Sequence, residues 1–409
     1  MQRNSTLTLV FIIIYNSFVS AQKTESFLPK PTGKYFIGTK DTVLIDSLRK
    51  EIFTSKKSDF RNLPLKIWYP SDSNEGKSPD FYLQKYSSAD LYNAYKDFSD
   101  DSTIFAQLQK EITHSYTGIR ISNQQKTFPV IIFSQGFFFG LDEFYTQFME
   151  ELASNGYIVI SITHPYDQQL SKLYNNQPAR LKKMRAMKAY FQWKGVSFFK
   201  SKNPDVNNVK KCNRMLRSYF RNMRVFDKSL DIWIADSKFV LNSMATEVVS
   251  RRFPFLENRA DTSRIGSYGQ SFGGAVAGQL SYLDNRVKAA VNLDGFQFGD
   301  IYNHEFNKPI MSLQSDMYAD WIVGNQHIYS KTKPYTMYVF KKSKHFIFSD
   351  CSLFPVMNNE HRVLLTGDVD GVKTLKQINS LVLDFFNHFL KAESSDNFGK
   401  SDRTINIIE

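Results

Sequence analysis

The run Arg264-Ile265-Gly266-Ser267-Tyr268 passes at once into Gly269-Gln270-Ser271-Phe272-Gly273, and this junction leaves the backbone few choices. A short β-rich segment turns directly into residues 272–282, which have helical period and small side chains, with no loop between them. The flanking glycines lack the Cβ atoms that would collide where a strand and a helix approach so closely. A serine at the centre of such a turn presents its hydroxyl at the carboxyl end of a strand, beside helix N–H groups that can hold an oxyanion. The same five residues can also be a glycine-rich turn with an inert serine. The strand before and the helix after favour a nucleophile.

The rest of the chain fits that junction. From Gly33 onward short apolar runs alternate with helical periods, the pattern of an α/β fold whose mostly parallel central sheet carries helices on both faces. Residues 34–45 and 64–69 alternate as antiparallel edge strands do. Residues 128–133 and 157–162 are unbroken apolar runs suited to strands buried on both faces, with a helix over 142–155 between them. Later strands are predicted at 287–293, 309–314 and 335–340, and helices at 231–244 and 375–390. Residues 22–393 read as one domain with an insertion at about 165–225, and the polar tail 394–409 as loose.

Residues 1–21 have the pattern of an export signal: Arg3, an apolar stretch over 7–15 too short to span a bilayer, then the small residues Val19 and Ala21. The expectation is an exported protein, periplasmic or extracellular, that begins at Gln22. Cys212 and Cys351 are too few for a disulfide scaffold, and the sequence leaves open whether they bridge or stay buried thiols. No His and Cys cluster has metal-ligand spacing, so neither a metal nor a cofactor is expected.

A serine nucleophile needs a base and an acid that orients it. Where the serine sits on such an elbow, the partners follow it along the chain, acid before histidine. That leaves His304, His327, His345, His361 and His388. His345 comes just after the strand at 335–340, on a loop where a base can reach Ser271, and is preferred to His361. Asp294 and Asp316 both end strands on the same edge, and fold logic does not separate them. The oxyanion donors are expected to be the backbone N–H groups of Phe137 and Phe272. Phe137, Phe138 and Phe139 would give apolar walls, although three consecutive side chains are not expected to face one pocket.

These residues resemble the platelet-activating factor acetylhydrolases of the plasma and intracellular type II family, calcium-independent esterases of phospholipase type with the α/β-hydrolase fold. The likeness is carried by Gly33-Lys34-Tyr35 with the stretch from Pro64 to Pro70, by Gly269 to Gly274, by Val291-Asn292-Leu293-Asp294-Gly295, and by Lys344-His345-Phe346 with Asp350. The resemblance implies that Asp294 is the acid, that Ser271 attacks an ester carbonyl while His345 takes and returns the proton, and that short sn-2 acyl groups leave through an acyl-serine intermediate. Gln270 and Gln135 stand where the family usually has histidines.

The net charge of +12 is concentrated in one segment: residues 180–224 hold fourteen Lys and Arg against Asp205 alone. Two apolar stripes run through it, Leu181, Met184, Met187 and Phe191, then Val209, Cys212, Leu216, Tyr219, Met223 and Phe226. Its place between a central strand and the nucleophile strand suits a helical cap. A cationic amphipathic surface beside Trp193, Phe198 and Phe199, expected to be exposed, would suit anionic lipid headgroups; the alternative is a solvated cap whose charges keep it soluble. Nucleic acid is not an expected partner, for no recognition motif is present. An ester or phospholipid substrate is the leading expectation. A broad carboxylesterase or dienelactone-hydrolase-like enzyme on soluble or polymeric esters is the second, and a non-catalytic binding protein on the same fold the third.

Overall fold

The computed structural model describes residues 25–97, 101–198, 208–244, 251–305, 307–398 and 403–408. The export-signal segment and Phe199 lie outside them. The strands are β1 (Phe36–Lys50), β2 (Phe60–Ser71), β3 (Ser115–Thr117), β4 (Phe128–Ser134), β5 (Ile158–Ile162), β6 (Leu170–Lys172), β7 (Pro178–Arg180), β8 (Ala260–Gln270), β9 (Val287–Leu293), β10 (Ile310–Ser315), β11 (Tyr335–Phe340) and β12 (Arg403–Ile408). The main helices are α1 (Thr146–Ser154), α2 (Lys183–Phe198), α3 (Val209–Asn222), α4 (Arg224–Ser243), α5 (Phe272–Leu283), α6 (Ala319–Tyr329) and α7 (Gly371–Lys391).

One sheet runs in the order β12-β11-β10-β9-β8-β4-β5-β2-β1-β3. It is parallel from β12 to β5, and β2 lies antiparallel to both β5 and β1. The unbroken apolar runs form its centre because successive side chains there go to opposite faces, both of them dry. Val130 and Ile132 of β4 enter a core with α4 and α5, while Ile131 and Phe133 enter a second core with α1 and α7. Ile158, Ile160 and Ile162 of β5 follow the first pair and Val159 the second.

Three local expectations are corrected. Residues 142–155 form a 3₁₀ turn at Asp142–Tyr145 before α1, not one helix. The helix expected at 231–244 begins at Arg224, so the apolar stripe from Val209 to Phe226 spans two helices that meet at Met223. The tail, expected to be loose, contains β12, which pairs in parallel with β11 from Tyr335 to Phe340 and covers that margin of the sheet.

Between β5 and α4 the chain makes the β6–β7 hairpin and then α2 and α3. The two helices behave differently. Cys212, Leu216 and Tyr219 of α3 are buried, whereas Met184, Met187 and Phe191 of α2 are 77 %, 51 % and 64 % exposed. No disulfide joins Cys212 to Cys351. Among the described residues no helix is long and apolar enough to cross a membrane.

Candidate active site

Ser271 is the hinge between β8 and α5. Its backbone sits at φ 57°, ψ −123°, a conformation that costs a non-glycine residue about 1–3 kcal/mol and that the surrounding structure must enforce. Part of that enforcement is the Ser271 N–H, which donates to the Leu293 carbonyl at 2.7 Å. The glycines on either side explain why the turn is possible. A Cβ at Gly269 would stand 2.1 Å from the Gly273 carbonyl oxygen, and one at Gly273 would stand 1.9 Å from that of Ser134.

Asp294 follows β9 with φ 50°. The loop is pinned by Asn292, whose Oδ1 accepts the Gly295 N–H at 2.9 Å and whose amide donates to the Gly295 carbonyl at 3.0 Å. The carboxylate is buried and held from β10: Ser315 donates its N–H to Oδ1 at 2.8 Å and its hydroxyl to Oδ2 at 2.9 Å. His345 Nδ1 lies 2.7 Å from Asp294 Oδ2. This pairing fixes the proton on Nδ1 and leaves Nε2 as the acceptor, the arrangement a general base requires. Asp316 does something else: it accepts the Lys342 N–H at 3.0 Å. His361 is in the first turn of a short helix, its N–H capped by Asn358.

His345 Nε2 faces an amide that the sequence marks only as a departure. Gln270 Nε2 stands 3.2 Å from it and 3.5 Å from the His345 carbonyl. The amide is oriented by Tyr145, whose hydroxyl donates to Gln270 Oε1 at 3.0 Å and accepts the Gly136 N–H at 3.4 Å. Burial pushes the Tyr145 phenol well above its ordinary range, so it stays a donor. Gln135 points the other way, into a buried network: its amide donates to Ser161 Oγ at 3.0 Å and its Oε1 accepts from Gln168 at 2.5 Å.

Beneath this loop lies a second, fully buried Ser, His and Asp arrangement. His164 Nδ1 is 2.8 Å from Asp236 Oδ2, its Nε2 is 3.2 Å from Ser134 Oγ, and its ring stacks on Trp233 at 4.0 Å. Arg61 and Arg49 both bind the Asp236 carboxylate. Burial opposes its ionisation, but Arg61 and the hydrogen bonds from His164 and Arg61 hold it below the usual carboxylate range. With no exposure at His164 or Asp236, this set ties α4 to the sheet and offers a substrate no access.

Ser271, His345, Phe137 and Phe272 border one cavity of about 670 Å³. Phe138 and Phe139 border it too, against the expectation that three consecutive side chains could not. The loop achieves this by putting Phe138 at φ 66° and tying its N–H to the Asp167 carbonyl and its carbonyl to the Gln169 N–H. Trp193, expected on the surface, is half-buried and forms part of the wall. Met187 and Phe191 of α2 border this cavity on one side and, with Met184 and Lys188, an outer groove of about 560 Å³ on the other.

The chain matches the family described as platelet-activating factor acetylhydrolase, isoform II, over residues 20–408. It is 22 % identical to a probable 1-alkyl-2-acetylglycerophosphocholine esterase of Arthroderma benhamiae, over 97 % of this chain and 94 % of that one. It is 21 % identical to a platelet-activating factor acetylhydrolase of Cavia porcellus, over 89 % and 78 %. A solved ferulic acid esterase from Streptomyces cinnamoneus shares the fold with a TM-score of 0.68, at 21 % identity over 92 % of this chain and 96 % of that one. The chain therefore belongs to the platelet-activating factor acetylhydrolase isoform II family and is a carboxylic-ester hydrolase.

Proposed function

We propose that Ser271 is the nucleophile, His345 its general base and Asp294 the residue that orients His345, and that the backbone N–H groups of Phe137 and Phe272 stabilise the oxyanion. The observation that carries this reading is the elbow conformation of Ser271 facing the same cavity as a histidine hydrogen-bonded to a buried carboxylate. Ser271 attacks the ester carbonyl, and His345 takes the hydroxyl proton and gives it to the leaving alcohol. Water, activated by the same histidine, then releases the acid from the acyl-serine. Family membership supports a phospholipid carrying a short sn-2 acyl group, cleaved without calcium. A second reading, hydrolysis of uncharged soluble esters, is favoured by a cavity whose described wall holds no Lys, Arg, Asp or Glu.

A fluorophosphonate should label the protein at Ser271 and leave Ser271→Ala unlabelled. Phosphatidylcholines of increasing sn-2 length, assayed without calcium, should be cleaved at the short end only, and Ser271→Ala should lose at least three orders of magnitude in kcat, roughly the size of such losses elsewhere. Labelling that survives the substitution would overturn the assignment. The pattern at residues 1–21 supports export. The exposed apolar residues of α2, set among Lys183, Lys188 and Lys194, support contact between the cap and anionic lipid. Vesicles rich in phosphatidylserine should then sediment the protein at low salt and release it at high salt. No binding at low salt would sink that contact.

A further inference from the structure

We propose that the cavity over Ser271 is built for an ester whose acyl half carries an aromatic ring. This rests on the reading of Ser271 as nucleophile and adds a substrate class to it.

Fourteen of the twenty-four residues that border the cavity are Phe, Tyr or Trp. Aliphatic side chains make an adequate wall for an alkyl chain, because area burial has no direction. Rings add direction. Each has a negative face and a positive edge, so neighbouring rings settle edge to face or offset. The wall already follows that rule: Phe137 meets Phe272 at 5.5 Å and 68°, Phe226 meets Phe272 at 5.7 Å and 61°, and Phe296 meets Phe298 at 5.3 Å and 77°. A planar guest extends this lattice with further edge-to-face partners, whereas an alkyl chain gains from it only contact area.

The mechanism assigns the two halves of the ester to two sides. The leaving oxygen must lie toward His345, which protonates it, and here the neighbours are Phe346 at 5.7 Å, Trp321 at 6.0 Å and Tyr318 at 6.3 Å, two of which carry a polar atom. The acyl group lies away from His345, and the bordering rings that do not touch the His345 ring include a cluster of Phe137, Phe226, Phe272 and Phe298, with centroids 5.3–6.0 Å apart, that presents hydrocarbon alone. The acyl half therefore meets benzene rings.

Size agrees. An apolar cavity of about 150 Å³ admits a benzene molecule, and about 670 Å³ leaves room for a ring, a short spacer and the alcohol, far beyond what an acetyl group fills. Among the described lining residues there is no Lys or Arg to meet a phosphate, so a headgroup carried by the alcohol half would stay outside this wall. Two buried donors in the wall, the indole N–H groups of Trp193 and Trp321, have no hydrogen-bond partner among the described residues, which marks places for neutral oxygens of the ligand.

The test compares methyl 3-phenylpropanoate with its carbon-matched alkyl ester, methyl nonanoate, by pH-stat on the full chain. We expect kcat/KM to favour the phenyl ester by about tenfold, the yield of one or two ring–ring contacts. Phe226→Leu and Phe298→Leu, each checked by thermal melting for an intact fold, should each shrink that ratio. Equal rates, a preference for nonanoate, or variants that keep the wild-type ratio would overturn the aromatic assignment, while labelling of Ser271 by fluorophosphonate would still stand. Loss of that labelling would instead overturn the nucleophile and, with it, this inference.

Discussion

Gln270 precedes Ser271 and touches His345, and its contact is with the one lone pair that His345 would need in its proposed role as base. With Nδ1–H donated to Asp294, His345 accepts at Nε2, and the amide N–H of Gln270 occupies that position at 3.2 Å. Tyr145 dictates which end of the amide faces the ring. Gln270→Leu frees that lone pair for the Ser271 hydroxyl and Tyr145→Phe loosens the amide that occupies it, so each should raise kcat/KM, and the double variant should rise little further, a coupling of roughly 0.5–3 kcal/mol in a double-mutant cycle. Full additivity would show that the two act separately. Asp294→Asn should cost about four orders of magnitude in kcat, because the imidazole then loses the partner that fixes its tautomer. Asp316→Asn should cost little, since that carboxylate accepts only the Lys342 N–H in a turn. Choosing between these two aspartates required the family resemblance, for both end parallel strands on the same edge. The role of Tyr145 was not legible at all: it lies 125 residues from Gln270, and only the parallel pairing of β4 with β8 brings them together.

At the level of elements, burial on both faces made β4 and β5 readable as nearly continuous apolar runs, and β9, β10 and β11 as short, mostly apolar segments. β12 was not, since Arg403–Ile408 is polar enough at its start to pass for a tail and becomes a strand only by pairing with β11. The role of α4 was equally hidden. Its Asp236 receives Arg61 from β2 and His164 from the loop after β5, a network that no local pattern announces. Asp236→Ala takes from the buried Arg61 one of its two carboxylates, leaving Glu51 at 3.0 Å, and should cost about 3–5 kcal/mol in urea unfolding. The network also sets a pH dependence. Burial, partly opposed by Asp236, lowers the affinity of His164 for a proton, so the folded chain holds the ring neutral while the unfolded chain protonates it below about pH 6.5. The unfolded state then binds more protons, and stability that is present above pH 6.5 is lost as the pH falls below it. Tm should drop between pH 7.5 and pH 5.5, and the drop should be smaller in His164→Asn. An equal drop in both would remove His164 as its cause.

For the molecule as a whole, the sheet is finished at one margin by β12. Ending the chain at residue 398 would leave the β11 edge unpaired, a row of free N–H and C=O groups flanked by Tyr335, Met337 and Val339. The truncated protein should melt lower and scatter more light on standing than the full chain; unchanged behaviour would mean that β12 only decorates the edge. At this scale α2 has the broadest reach. It is a party wall one helix thick, and Met187 and Phe191 belong to the rooms on both sides of it. No substitution at either residue can reshape the outer face without redrawing the chamber above Ser271, so natural variation there answers to two selective pressures at once. Lys183, which borders neither chamber and pairs with Asp97, answers to one, and changes in it alone can separate what the outside of the cap does from what its inside does.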